Sequence, residues 1–171
     1  MTTQNFQAFN PFDTYAGNVF WVRSGQSDSN PGTFNRPFAP LDYAIGRCTA
    51  NNGDQIHIKA GHTENISAAS GVDFDVAGIT VIGHGINQQR PTFSWTANTA
   101  TLVVDAANTV LYNLTFIANF LDVAEMIDVG AVAGFQMHKC KVEDASSILN
   151  WLKVVVLASG ASDFHFVGNI I

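Results

Sequence analysis

The sequence predicts an all-β fold: a right-handed parallel β-helix of about four coils with an N-terminal amphipathic capping helix. Three observations carry that prediction. A short apolar strand between small residues recurs as AGITVIGHG (77–85), AANTVLYNLTF (106–116), AGFQMHKCKV (133–142) and ASDFHFVGNII (161–171). Aligning Ile79, Thr109, Phe135 and Phe164 gives spacings of 30, 26 and 29 residues, the length of a solenoid repeat. Between copies, small-residue stretches (DAAN after Val104, GAVAG after Val129, ASGAS after Leu157) turn the chain. Small residues suit stacked corners, where side chains have little room.

Residues 1–18 form an arm without a clear periodic element. Phe6, Phe9, Phe12 and Tyr15 recur every three residues there, and Pro11 opposes a continuous helix. Aromatic anchors of this kind suit either a fold-back onto the domain or contact with a partner. Residues 19–54 hold a strand, a loop and a helix. VFWV (19–22) reads as the strand, and RSGQSDSNPGTFNRPFAP is a loop dense in Gly, Pro, Ser and Asn. Asp28, Ser29 and Asn30 are better read as a plain turn than as a calcium loop, because the required Gly and Glu positions are missing. Leu41, Ala44, Ile45 and Cys48 follow the i, i+3, i+4, i+7 pattern of a helix with one apolar face. Pro40 suits its start and Asn51-Asn52-Gly53 its stop. Laid across the first coil, such a helix would cover an open apolar cross-section.

Residues 55–171 are the β-helix coils. Ile56 and Ile58 alternate with polar neighbours, as do Val72, Phe74 and Val76 with Asp73 and Asp75, which face outward. Ile79/Val81, Thr109/Leu111, Phe135/Met137 and Phe164/Phe166 are assigned to the interior, coil upon coil. Corners fall at Gly83, Asn113, Lys139 and Gly168. Glycine and asparagine tolerate left-handed backbone there, whereas lysine fits poorly. Leu114/Phe116, Cys140/Val142 and Ile170 then turn inward. The sequence ends within a repeat, at Asn169-Ile170-Ile171, so either further chain or a partner is expected over that end.

Composition excludes several classes. Hydrophobic residues make up 47% and charged residues 13% of 171, the opposite of a disordered chain. A net charge of −6 with 8 thinly spread basic residues argues against nucleic acid as a partner. Apolar runs of four to six residues are too short to span a membrane, and MTTQNFQAFNPF lacks the pattern of a secretion signal. Cys48 and Cys140 lack CxxC spacing and read as small core residues.

Chemistry is sparse. Asp105, Asp122, Glu125, Asp128, Glu143 and Asp144 are the carboxylates available for polysaccharide cleavage, with Asp122, Glu125 and Asp128 closest together. No basic residue lies within ten positions of that trio, so solvated turn residues are the favoured reading. His57, His138 and His165 are assigned to outward strand positions. Without HxH or HExxH spacing, a His138–His165 surface ladder is preferred to a metal site. GxSxG, P-loop and GxGxxG motifs are absent. No catalytic residue, metal or cofactor is assigned.

The segment FWVRSGQSDSNPGTFNRPFAPLDYAI…NNGDQIHIKAGHTENI resembles the opening of pectate-lyase-like right-handed β-helix proteins, with His62-Thr63 where the lyase-like wording has tyrosine. The run from AGHTENISAASG to EDASSILNWL is similar to β-helix proteins encoded among the structural genes of tailed bacteriophages. Across residues 19–157 this resemblance implies a virion structural protein that decorates or cements the capsid, not an enzyme. It implies assembly in the host cytoplasm and contact with the major capsid protein or another virion protein. Homo-oligomers, trimers among them, are common for such β-helices. Phe6, Phe9, Phe12 and Tyr15 are the partner-contact residues expected under it. The alternatives are a tailspike-like β-helix that binds or cleaves a glycan, with a polysaccharide lyase or hydrolase as the enzymatic version, and a tail or baseplate structural protein.

Overall fold

A computed structural model describes residues 17–171. The aromatic arm residues Phe6, Phe9, Phe12 and Tyr15 lie outside the described residues. The chain forms a right-handed parallel β-helix with three sheets. Sheet I stacks β1 (Val19–Val22), β2 (Gln55–Ile58), β5 (Thr80–Gly83), β8 (Val110–Tyr112), β11 (Gln136–His138) and β14 (His165–Val167). Sheet II stacks β3 (Thr63–Ile66), β6 (Thr92–Trp95), β9 (Thr115–Ala118) and β12 (Lys141–Asp144). Sheet III stacks β4 (Val72–Phe74), β7 (Leu102–Val104), β10 (Ile127–Val129) and β13 (Val155–Leu157).

Each complete coil contributes one strand to each sheet, with β1 and β14 extending sheet I alone, so the strand pairings are parallel and join residues about one repeat apart. Val81 pairs with Leu111, Leu111 with Met137, and Met137 with Phe166. These are the interior positions expected from the repeat, in the expected register. Ile79, Val81, Thr109, Leu111, Phe135 and Met137 are buried. The sheet II interior is an aromatic stack, with Phe93 over Phe116 at 6.1 Å between ring centroids and Trp95 edge-on to Phe116 at 5.9 Å. Burying side chains of this size contributes about 1.5–3 kcal/mol each. Phe166 departs from the expectation. It stacks in register but is 45% exposed, because no further coil covers it among the described residues; Ile170, expected to turn inward, instead bridges to Lys141 and faces outward with it.

The corners explain themselves through backbone angles. Asn113, Lys139 and Gly168 all lie in the left-handed region, with φ of 59°, 52° and 65°. Lys139 is therefore at the predicted corner after all, holding a conformation that costs a side-chain-bearing residue about 1 kcal/mol. Gly83 is the corner that differs. It ends β5, and the left-handed turn comes two residues later at Gly85, with φ 101°. The physical reason is an enlarged corner. Residues 84–91 separate β5 from β6, where later coils use only two residues between sheets I and II. Asn113 holds the base of this excursion, its Nδ2 donating to the Gly83 and Gly85 carbonyls at 2.8 and 3.0 Å.

The helix α1 (Leu41–Ile45) packs against β1 and β4 and buries Leu41, Ala44 and Ile45. Pro40 is its N-cap, and its missing side-chain cap is supplied from the first coil: Glu64 Oε2 accepts the Leu41 N–H at 3.0 Å. Asp42 Oδ1 in turn accepts the Asp73 N–H at 3.0 Å. The helix is thus tied to sheets II and III as an end cap should be. Cys48 falls beyond it, half-buried, because Gly46 already ends the turn. Cys140 is a core residue as expected, and burial pushes its thiol up to about 12.

Asp54 fastens β1. Its Oδ1 accepts the Asn18 N–H at 2.6 Å and Asn52 Nδ2 at 2.7 Å, while Oδ2 accepts the Thr49 N–H at 2.7 Å. Burial alone would raise its pKa. The hydrogen bonds from Thr49, Asn18 and Asn52 outweigh that and hold the carboxyl below its usual value.

Candidate binding groove and an aromatic cleft

Sheet II presents an outward row in strict register. Thr63, Thr92, Thr115 and Lys141 are successive partners, and Ile170 bridges to Lys141. A second outward row runs Asn65, Ser94, Ile117 and Glu143. The alternation of the strands puts Phe93, Phe116 and Val142 inside and leaves these residues outside.

The enlarged corner converts this flat face into a groove. Residues 84–91 rise over the sheet edge with a short 3-10 turn at Asn87–Gln89. Asn87, Gln88 and Arg90 then form one wall of a cleft of about 520 Å³, with Thr92, Thr115, Ile117, Lys141, Glu143 and Ile170 completing it. Lys141 Nζ is ion-paired with Glu143. Among the described residues the buried Arg90 Nε has no hydrogen-bond partner, while Thr92 Oγ1 donates to the Arg90 carbonyl at 3.1 Å. The groove therefore offers hydroxyls, amides, one charge pair and the Arg90 side chain. Sites of this size are ordinary for small ligands and short polymer segments.

A smaller cleft of about 350 Å³ opens on the other side of the same corner, lined by Trp21, Arg23, Phe34, Lys59, Ala60 and His84. Register sets Trp21 beside His57. The rings of Trp21, His57 and His84 form a triangle with centroid separations of 4.8 to 5.1 Å. His57 Nδ1 and His84 Nε2 face each other at 2.8 Å, one donating to the other. Burial, and then the His84 charge, push His57 down to about 4, and burial lowers His84 as well. Phe34 meets Trp21 edge-on at 4.8 Å, and Lys59 Nζ lies 3.8 Å from the Phe34 ring centre.

The other sequence candidates fall elsewhere. Glu125 is ion-paired with Lys153 at 2.7 Å, a base 28 positions away in sequence. Asp128 lies on β10 in sheet III, and Asp122 occupies a left-handed turn with φ 48°. Asp105 also belongs to the sheet III side, where its charge helps raise the pKa of Asp73 after burial and Asp75. Glu143 alone joins the groove; Asp144 instead accepts the Trp151 N–H at 3.2 Å. His57 and His138 occupy outward strand positions as expected, yet each is more than nine-tenths buried. His165 pairs in register with Gln136, diagonal to His138 on the neighbouring coil, and its Nε2 meets Asp163 Oδ1 at 3.2 Å; its charge adds to the burial that lowers the pKa of His138. Asp28, Ser29 and Asn30 form a turn closed by Asn30 N–H to the Ser27 carbonyl at 3.0 Å. Among the described residues no three His, Cys, Asp or Glu side chains converge as metal ligands.

Fold and groove together define the class: a right-handed parallel β-helix with a cleft on an outer sheet face. Among solved structures, a rhamnogalacturonan lyase superposes with a TM-score of 0.61 at 17% identity, over 90% of this chain and 51% of that one. The chain thus spans about half the length of that lyase, and the likeness is one of fold. No protein-family model matches the chain, and no curated protein sequence matches it.

Proposed function

We propose that this chain is a carbohydrate-binding β-helix that takes a linear glycan along the outer face of sheet II. The observation that carries this is the groove itself. Hydroxyls of Thr92 and Thr115, the Lys141–Glu143 pair, the amides of Asn87 and Gln88 and the Arg90 side chain line one cleft. A sugar presents alternating hydroxyl donors and acceptors, and these groups match both. The fold likeness supports the reading, since the similar protein is named as a lyase of rhamnogalacturonan. Cleavage is not part of the proposal, because Asp122, Glu125 and Asp128 lie outside the groove.

Titration calorimetry against a panel of linear oligosaccharides tests it. Arg90→Ala should weaken the best ligand about tenfold or more, the worth of one charge-assisted hydrogen bond. Absence of binding to every oligosaccharide, or an unchanged affinity in Arg90→Ala, would overturn the groove assignment.

A second reading places the same surface on a bacteriophage particle, as a capsid decoration, tail or baseplate protein. Its support is the sequence wording of residues 19–157 and the dispersal of the candidate carboxylates. Deleting residues 1–15, with Phe6, Phe9, Phe12 and Tyr15, should then abolish attachment to the particle while leaving the fold intact. Normal decoration by the truncated chain would sink the arm's role.

A further inference from the structure

We infer that the outer face of sheet I is the docking surface for this chain's own residues 1–16, which fold back over it as a strap anchored by Phe6, Phe9, Phe12 and Tyr15. The inference is independent of the glycan-binding reading. Register defines the face. Trp21, His57, Ile82, Tyr112 and His138 form one outward row, and Gln55, Thr80, Val110 and Gln136 form the other. Ile56, Val81, Leu111 and Met137, between the rows, point into the core. The outward rows are covered all the same. Ile82 is 0% exposed, and Gln55, His57, Val110 and His138 are buried with it. Sheet III shows what neighbours in the plane of a sheet achieve alone. Its outer row, Asp73, Val103, Asp128 and Val156, is partly exposed at every position. A strand residue flanked on both coils still presents its tip to solvent, so the burial of Ile82 requires a layer above it.

No described strand or helix supplies that layer. α1 packs against β1 and β4 at the end of the stack, and sheets II and III close the other two sides of the coil. The Trp21 and His84 rings lie against His57 and cover the first coils. Val110 and His138 sit three and four strands further along the sheet from β1. The chemistry of the face points the same way. Trp21, Ile82, Val110 and Tyr112 are apolar or aromatic, where the solvent side of a sheet ordinarily carries polar residues.

The arm is the segment within reach. It enters β1 through Gly17 and Asn18, and so begins at the first strand of this same sheet. From β1 to β11 is four strand spacings, roughly 19 Å. A chain of 16 residues spans up to about 50 Å when extended. The aromatic spacing also fits. Phe6, Phe9, Phe12 and Tyr15 recur every three residues around Pro11. In an extended polyproline-type chain this spacing puts all four on one side, about 9.3 Å apart. That interval is close to two strand spacings of about 4.8 Å, so one ring meets every second coil. Asp13 is the arm's only charged side chain, so little charge is placed against the apolar rows.

Thiol labelling and photocrosslinking test the strap on the full chain. Ile82→Cys places a thiol on the outer face, with the parent chain giving the background from Cys48 and Cys140. It should react with an aromatic disulfide reagent at least about tenfold more slowly than the same thiol after deletion of residues 1–15. Replacing Phe6, Phe9, Phe12 and Tyr15 with serine in the full chain should speed labelling in the same way. Circular dichroism confirms the fold of each variant; if the truncated chain fails to fold, the four-serine variant decides. Phe9→benzoylphenylalanine should crosslink within one chain, to peptides that hold β5, β8 or β11. Fast labelling of Ile82→Cys in the full chain overturns the strap and leaves the arm free for a partner. Slow labelling that persists in the folded truncated or four-serine chain also overturns it, because something else then covers the sheet. A crosslink that joins two chains places the arm on a neighbouring copy and overturns the fold-back.

Discussion

Replacing Asp54 with alanine should loosen β1 from the stack. The carboxylate accepts two backbone N–H groups, from Asn18 and Thr49 at 2.6 and 2.7 Å, and two side-chain amides, from Asn52 at 2.7 Å and, more weakly, from Asn18 at 3.3 and 3.4 Å. Hydrogen bonds to a charged group contribute about 1.5–3 kcal/mol each. The Asn52 and Asn18 amides can turn toward water, but the two backbone donors are left without an acceptor, at about 1–3 kcal/mol each. Removing the burial cost of the carboxylate offsets part of this. The expected net loss is about 3–5 kcal/mol, a large share of a stability on the order of 5–15 kcal/mol. Urea unfolding followed by circular dichroism measures it. Tryptophan emission from the same samples should shift at lower urea than the circular dichroism signal, because Trp21 rides on β1. Asp54→Asn preserves shape but turns an NH2 toward one of the donors, and should lose about half as much. A loss under about 1 kcal/mol in Asp54→Ala would refute the view that these bonds anchor the strand. The sign with pH follows from the depressed pKa. The contribution is complete above the ordinary carboxylate range and is lost as pH falls through the folded value, and Asp54→Asn should lack that acid limb.

Two further outcomes are expected. Lys139→Asn should raise stability by about 1 kcal/mol in urea unfolding, since asparagine accepts the left-handed angle more readily and can bond a neighbouring coil as Asn113 does. A destabilised variant would show that the Lys139 ammonium over the Tyr112 ring, at 5.3 Å, is worth more than the backbone relief. His57 should make the fold acid-sensitive in a defined window. Its folded pKa of about 4 lies below the ordinary 6.5, so the unfolded chain takes up a proton that the folded chain resists. Stability is full above the ordinary value and falls as pH drops toward the folded one, by about 2 kcal/mol after allowance for solvent at the ring edge. His57→Gln should flatten this window; an unchanged profile would exclude His57 as its source.

Much of the scaffold was legible because a solenoid writes its geometry into local sequence. Ile79, Val81, Leu111 and Met137 repeat at coil spacing, and small residues mark the turns, so interior and register followed from the pattern. Lys139 shows that a repeat can outweigh local preference. The corner stayed where the coils required it despite the wrong residue type. The groove was not legible, because its residues are neighbours only across coils. Thr92, Thr115 and Lys141 lie some 25 positions apart, and none belongs to a motif. The one available signal was the long interval after Gly83 before the next alternating segment, which places Arg90 beside the sheet. Trp21 and Phe34 read as a strand residue and a loop residue, and only the fold of the Gly-rich loop brings them together. His57 and His138 were assigned the correct side of sheet I yet are covered there, whereas His165 is exposed, since alternation says which way a side chain points and nothing about what covers it.

The row from Thr63 through Thr92, Thr115 and Lys141 to Ile170 acts as a graduated scale. Its divisions are about 4.8 Å, fixed by backbone hydrogen bonding and not by any side chain. A polymer whose own period matches that interval meets an equivalent mark at every unit. One with a different period drifts out of phase within a few units and forfeits contacts progressively. Under the proposed glycan-binding reading the scaffold selects by periodicity as well as by chemical group, and a substitution at one division changes what is read there without moving the others.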